Sequence, residues 1–102
     1  MKQVLFLFAL TATALFTNCH TAAPVACANV PTTGKTGTTI TFTGCSTDAH
    51  HEEWNFGDAG TATGASVTHA YNTAGTYNVK LTAYNSDKSK SDAVTKTIVI
   101  SN

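Results

Sequence analysis

Trp54-Asn55-Phe56-Gly57-Asp58 carries the chain's only Trp, with a Phe two positions on. Residues i and i+2 of a strand share a face. Trp54 and Phe56 therefore point into one core, and Asn55 faces out between them. Gly57 tolerates positive φ and Asp58 can hydrogen-bond its own backbone, so the strand ends in a turn there.

Outward from this point the alternation continues. Thr76 to Asn85 reads as the clearest strand, with Tyr77, Val79, Leu81 and Ala83 inward and Thr76, Asn78, Lys80, Thr82 and Tyr84 outward. Thr38 to Cys45 places Ile40 and Phe42 on one face and Thr39, Thr41 and Thr43 on the other. Val25 to Val30 (Ala26 and Ala28 inward) and Ala93 to Ile100 (Ile98 and Ile100 inward) read as terminal strands. Ser66 to Tyr71 reads as a short strand, and Gly60 to Ala65 as a loop or weak strand. Pro31 to Gly37, Tyr71 to Gly75 and Asn85 to Ser91 are turn-rich loops. Glu52 shares the phase of Trp54 and is expected at the rim, its carboxylate in water. Beyond the first 18 residues no helical period is present. About seven short strands predict an all-β, immunoglobulin-like antiparallel β-sandwich. Both Cys27 and Cys45 precede Trp54, so the Cys…Trp…Cys arrangement of antibody domains is absent.

The 102 residues argue for one domain. Residues 1–18 read as a signal peptide: Lys2, then an apolar run from Val4 to Phe16 too short to span a bilayer. Leu15-Phe16-Thr17-Asn18-Cys19 resembles a bacterial lipoprotein lipobox, in which cleavage precedes a Cys that receives lipid. Asn18 stands where a small residue is usual, and Phe16 where Leu is usual. Ordinary signal-peptidase cleavage would use Ala12-Thr13-Ala14, which truncates the apolar run, or Thr21-Ala22-Ala23, which puts Pro24 directly after the cut. Lipidation at Cys19 is the expected outcome, and its several acyl chains suffice for stable anchoring. Residues 19–24 are then a short tether and 25–102 the domain. Cys27 and Cys45 both point outward and, if their two strands pair, sit on the same outer face; with Cys19 lipidated they form an even pair, so a disulfide is expected in an exported protein. Closing about 19 residues of chain, it is worth roughly 3 kcal/mol on a chain-entropy model.

Residues 19–102 hold five Lys, no Arg and six acids. A near-neutral chain without Arg is a poor nucleic-acid binder. Gly34-Lys35-Thr36 mimics the end of a phosphate-binding loop, but position 29 is Asn29 where that motif needs Gly. His50-His51-Glu52-Glu53 is the densest run of possible metal ligands. His51-Glu52 starts like a His-Glu-x-x-His zinc site, but position 55 is Asn55 and the local period is a strand's. No metal or cofactor is expected. Glu52 and Glu53 go to opposite faces of a strand, and no Gly-x-Ser-x-Gly is present, so an enzyme is not expected.

Three spaced motifs, Trp54-Asn55-Phe56-Gly57-Asp58, His69-Ala70-Tyr71 and Gly75-Thr76-Tyr77-Asn78-Val79-Lys80-Leu81-Thr82-Ala83, closely resemble the PKD (polycystic kidney disease) domain, whose pattern is W-D-F-G-D-G, H-x-Y and G-x-Y-x-V-x-L-x-V. The resemblance covers Cys27 to Ile100. Asn55 replaces the first Asp and Ala59 the Gly after Asp58, which bears on the turn shape. The resemblance implies a non-catalytic extracellular spacer or binding module. It also implies that Trp54, Phe56, Gly57, Asp58, His69, Tyr71, Gly75, Tyr77, Val79 and Leu81 are structural, with Asp58 holding its turn rather than binding calcium. The loose lipobox and Thr-rich strands resemble surface lipoproteins of Bacteroidota-type bacteria. The expected protein is thus lipid-anchored to the outer membrane or cell surface, and its partner is an envelope or extracellular protein. The alternative is a carbohydrate-binding module, with Tyr84 as the candidate glycan contact because sugars stack on exposed aromatic rings.

Overall fold

The computed structural model describes residues 22–102. Cys19, its lipobox, the signal segment and the first half of the tether lie outside them. Eight strands follow in order, with no helix among the described residues: β1 (Ala28–Asn29), β2 (Thr33–Lys35), β3 (Ile40–Gly44), β4 (His51–Asn55), β5 (Thr61–Thr63), β6 (Ser66–His69), β7 (Gly75–Tyr84) and β8 (Ser91–Ser101). They form two sheets, ordered β1-β3-β6 and β2-β8-β7-β4-β5.

The core lies between the sheets and is built by the alternation described above. Phe42 comes from the smaller sheet; Trp54, Val79, Leu81, Ile98 and Ile100 come from the larger, and all six are buried. Phe56, just past the end of β4, is buried with them. The Phe42 ring lies 5.9 Å from Trp54 and 5.1 Å from Phe56, centroid to centroid, in tilted geometry. Such aromatic pairs add about 0.5–1.5 kcal/mol each beyond the area they bury.

The structure departs from the sequence reading in three places. The expected loop at residues 31–37 contains β2, which runs parallel to β8 and is the one parallel pairing among the described strands. Its inward residue is Gly34. A Cβ there would meet Ile40 Cδ1 at 2.6 Å and Ile100 Cδ1 at 3.0 Å, so the two isoleucines fill the space a side chain would take. Second, Glu52 is half-buried and one oxygen of its carboxylate leaves water. Its Oε2 is buried without a hydrogen-bond partner among the described residues. The carboxylate lies over Gly44, whose missing side chain leaves the gap it occupies. Third, Asn85 is buried within an otherwise exposed hairpin. Its Nδ2 donates to Ser89 Oγ (3.1 Å) and its Oδ1 accepts from Lys90 N–H (3.0 Å), which closes the β7–β8 turn. Pro24, the last tether position by sequence, is also buried.

The two ends of the described chain reach opposite ends of the sandwich. Val25 bridges Thr47, and Ala26 N–H donates to Asp92 Oδ2 at 2.8 Å, beside the β7–β8 hairpin. The Ser101 carbonyl accepts from Thr36 N–H at 2.9 Å, next to Gly37, whose N–H donates to Tyr71 O.

Candidate functional site

The motif residues are consumed in holding one end of the fold. Gly57 has φ 86°, and a Cβ on it would come within 2.7 Å of Asn78 O, so both conformation and space require glycine. Asn55 Oδ1 accepts from Gly57 N–H (3.0 Å), a role open to the Asp it replaces. Asp58 Oδ1 accepts from Gly60 N–H (3.0 Å) and Oδ2 pairs with His69 Nε2 (2.7 Å). Ala59 takes φ 75°, the left-handed conformation that a glycine there would adopt freely. Burial is the largest single influence on Asp58 and raises its pKa. The hydrogen bonds from His69 and Gly60 and the charge of His69 outweigh it, so the carboxyl lies below its ordinary 3.8.

His69 stacks on Phe56 at 4.2 Å and meets Tyr71 edge-on at 4.8 Å. Tyr71 stacks on Tyr77 at 4.3 Å, and its Oη–H donates to Phe56 O at 2.8 Å inside the core. Burial, then the charges of Asp58 and Tyr77, push the Tyr71 phenol up to about 12. The His–Asp pair has acid–base character, but both oxygens of Asp58 are occupied and the ring of His69 is packed between Phe56 and Tyr71. The arrangement orders a turn.

Residues 50–53 all line one open hollow of about 460 Å³ but do not form a metal-ligand cluster. His51 and Glu53 alternate with Glu52 along β4, and His51 Nε2 lies 3.2 Å from Ser86 O. Among the described residues no group of three or more His, Cys, Asp or Glu could hold a metal. Cys27 and Cys45 are disulfide-bonded at adjoining ends of β1 and β3, where Cys45 N–H also donates to Cys27 O at 2.9 Å.

The outer face of the larger sheet is open for contact. Strand register places Thr61, Asn55 and Lys80 in one row across β5, β4 and β7, and Thr63, Glu53 and Thr82 in another. They line an open groove of about 430 Å³. Tyr84, opposite His51, lies one row further along. Its ring is not a bare platform: Lys88 Nζ sits over it at 5.3 Å, and its Oη lies 3.4 Å from Glu53 Oε1. Lys88 Nζ also lies 3.4 Å from Glu53 Oε2. Sequence reading singled out Tyr84 and missed this groove. The outward phase of β4 and β7 was legible, but β5 was read only as a loop or weak strand, and the order β5-β4-β7 that sets the outward residues side by side was not legible.

The family model for the PKD domain matches residues 21–100. The chain is similar in structure to carbohydrate-binding modules of the β-sandwich superfamily described as having promiscuous specificity, with 28% identity and a TM-score of 0.72 over 79% of this chain and 35% of that one. It thus spans about a third of that protein's length. It is also similar to the PKD1 domain of the Vibrio cholerae metalloprotease PrtV, with 29% identity and a TM-score of 0.65 over 79% of this chain and 100% of that one. The PKD1 domain of Vibrio anguillarum Epp shares the fold at 24% identity, with a TM-score of 0.65 over 78% of this chain and 95% of that one.

Proposed function

This chain belongs to the PKD-domain family, and from that premise we propose that it is a non-enzymatic, extracytoplasmic lipoprotein whose sandwich is an interaction module. In this reading lipid on Cys19 ties the domain to the outer membrane or cell surface through residues 19–24. The outer face of β4, β5 and β7 meets an envelope or extracellular protein, or, in the second reading, a glycan. One observation carries the proposal. The motif residues and both oxygens of Asp58 are spent on the fold, while the polar groove on the larger sheet is left open. The glycan reading is favoured by the likeness to carbohydrate-binding modules.

The test is site-specific photocrosslinking of the full chain in its own envelope. A photoreactive residue replaces Thr82, in the groove, or Thr41, on the outer face of β3. Crosslinks from position 82 and none from 41 are expected. Crosslinks from neither would reduce the domain to a spacer. Intact mass of the membrane-associated protein tests the anchor: a mature species without lipid on Cys19 would refute it.

A further inference from the structure

We propose that the groove on β4, β5 and β7 binds an acidic oligosaccharide, a run of uronic-acid-type sugars, with Lys80 as the anion contact and Tyr84 as the stacking platform at its end. This rests on the second, glycan form of the interaction-module reading and names the class of ligand.

Charge points to an acidic ligand. Residues 19–102 carry net −1 with His neutral, yet this face is locally positive. Lys80 lines the groove, and its ammonium makes no hydrogen bond or ion pair among the described residues. The acid near it, Glu53, is already paired with Lys88. An incoming carboxylate would therefore meet an unpaired ammonium with no unpaired acid on the groove floor.

The polar groups of the floor point to a sugar. Thr61, Thr63 and Thr82 carry hydroxyls with no partner among the described residues, and Asn55 uses its Oδ1 on Gly57 while its Nδ2 makes no bond there. Neighbouring strands are about 4.8 Å apart, and residues i and i+2 about 6.8 Å apart along a strand. The floor is thus a flat grid of donors and acceptors, suited to a chain of sugar hydroxyls. A protein partner needs apolar or aromatic anchors in desolvated pockets. The exposed large hydrophobics among the described residues are Val25 and Val99, and neither lines the groove.

The spacing of the two key residues sets the ligand's length. Lys80 and Tyr84 both face out on β7, four residues or about 13 Å apart, so a ligand of a few sugars reaches both. Lys88 covers the Tyr84 ring, but it is half exposed, as is its partner Glu53. Exposed ion pairs of this kind are weakly held. A sugar ring can displace Lys88 from Tyr84, and Lys88 then becomes a second cation for the ligand's acid groups.

The experiment is affinity electrophoresis of the full chain in gels containing polygalacturonate, xylan or dextran. Variants are Lys80→Gln, Tyr84→Ala and, as control, Lys96→Gln, which lies outside the groove. Trp54 fluorescence confirms that each variant is folded. Polygalacturonate should retard the wild type and the control, and retardation should fall as salt is raised. Lys80→Gln should weaken binding on the order of tenfold, the scale of one charge-assisted hydrogen bond. Tyr84→Ala should weaken it too. No retardation by polygalacturonate, or equal retardation of the two lysine variants, overturns the inference. Binding to dextran or xylan alone, undiminished in Lys80→Gln, overturns the acidic ligand and leaves the module reading standing. So does a protein crosslink from position 82 without glycan retention. Failure of both assays removes the module reading itself.

Discussion

Replacing Tyr71 by Phe separates two contributions that the structure assigns to one hydroxyl. Tyr71 is fully buried, and its Oη–H donates to Phe56 O at 2.8 Å. Removing it leaves a buried carbonyl unpaired, which costs about 1–3 kcal/mol. With a urea m-value of about 1 kcal/mol/M for so small a domain, the midpoint at pH 8 should fall by roughly 1–3 M. Alkali brings the second contribution. The phenol titrates at about 12 in the fold against 10.0 in the unfolded chain. Between those values the unfolded state releases a proton that the native state keeps, so stability falls as pH rises. It is fully present below pH 10 and lost through pH 12. Two pKa units correspond to about 2.7 kcal/mol. The Tyr71→Phe variant has no phenol proton to lose at this position, so the gap between variant and wild type should close across that window. The rest of the sequence is common to both proteins, so the difference between them reads the hydroxyl at position 71. The assay is urea unfolding followed by Trp54 fluorescence from pH 8 to 12, with the disulfide intact. A gap that stays constant over this range, or no gap at pH 8, would show that the Tyr71 hydroxyl does not hold the Phe56 carbonyl in the core.

Ala59→Gly should raise stability by roughly 0.5–1 kcal/mol in urea melts, because left-handed backbone costs an L-residue about 1–2 kcal/mol and glycine returns part of that as chain entropy. Gly57→Ala should lower it by more than about 2 kcal/mol, from positive φ together with the approach to Asn78 O. Asp58, held below 3.8, contributes stability that is present above that pH and lost as pH falls through the lower folded value. Acid titration of Asp58→Asn should therefore show a shallower loss than the wild type over that range. Glu52→Gln keeps the shape over Gly44 and replaces the carboxylate by an amide. With a neutral amide in place of the carboxylate whose Oε2 is buried unpaired, the urea midpoint should rise.

Much of the fold was legible because its core strands alternate strongly. Tyr77, Val79, Leu81 and Ala83 on β7, and Ile40 and Phe42 on β3, announce both period and face. β2 was not legible for the complementary reason. Thr33-Gly34-Lys35 has no large apolar side chain, and its inward residue contributes only the absence of a Cβ. Glu52 was placed in the correct phase, but its final environment depends on Gly44 across the sandwich, a contact that no local pattern encodes. Asn85 likewise looked like one more polar loop residue, because its burial comes from closing a hairpin whose partners, Ser89 and Lys90, are equally polar. The groove suffered most. Each of Asn55, Lys80 and Thr82 reads as an ordinary outward residue, and they become a site only through strand order.

In the proposed division of labour the motif turn holds the fold and the outer face of β4, β5 and β7 binds. Nitrogen-15-labelled protein titrated with oligogalacturonate tests this division most directly, residue by residue. Amide shifts should move at Glu53, Asn55, Thr61, Lys80, Thr82 and Tyr84, while Asp58, Ala59, Gly60 and β3 stay still. Shifts centred on Asp58 and His69, or on Thr41 and Thr43, would contradict it.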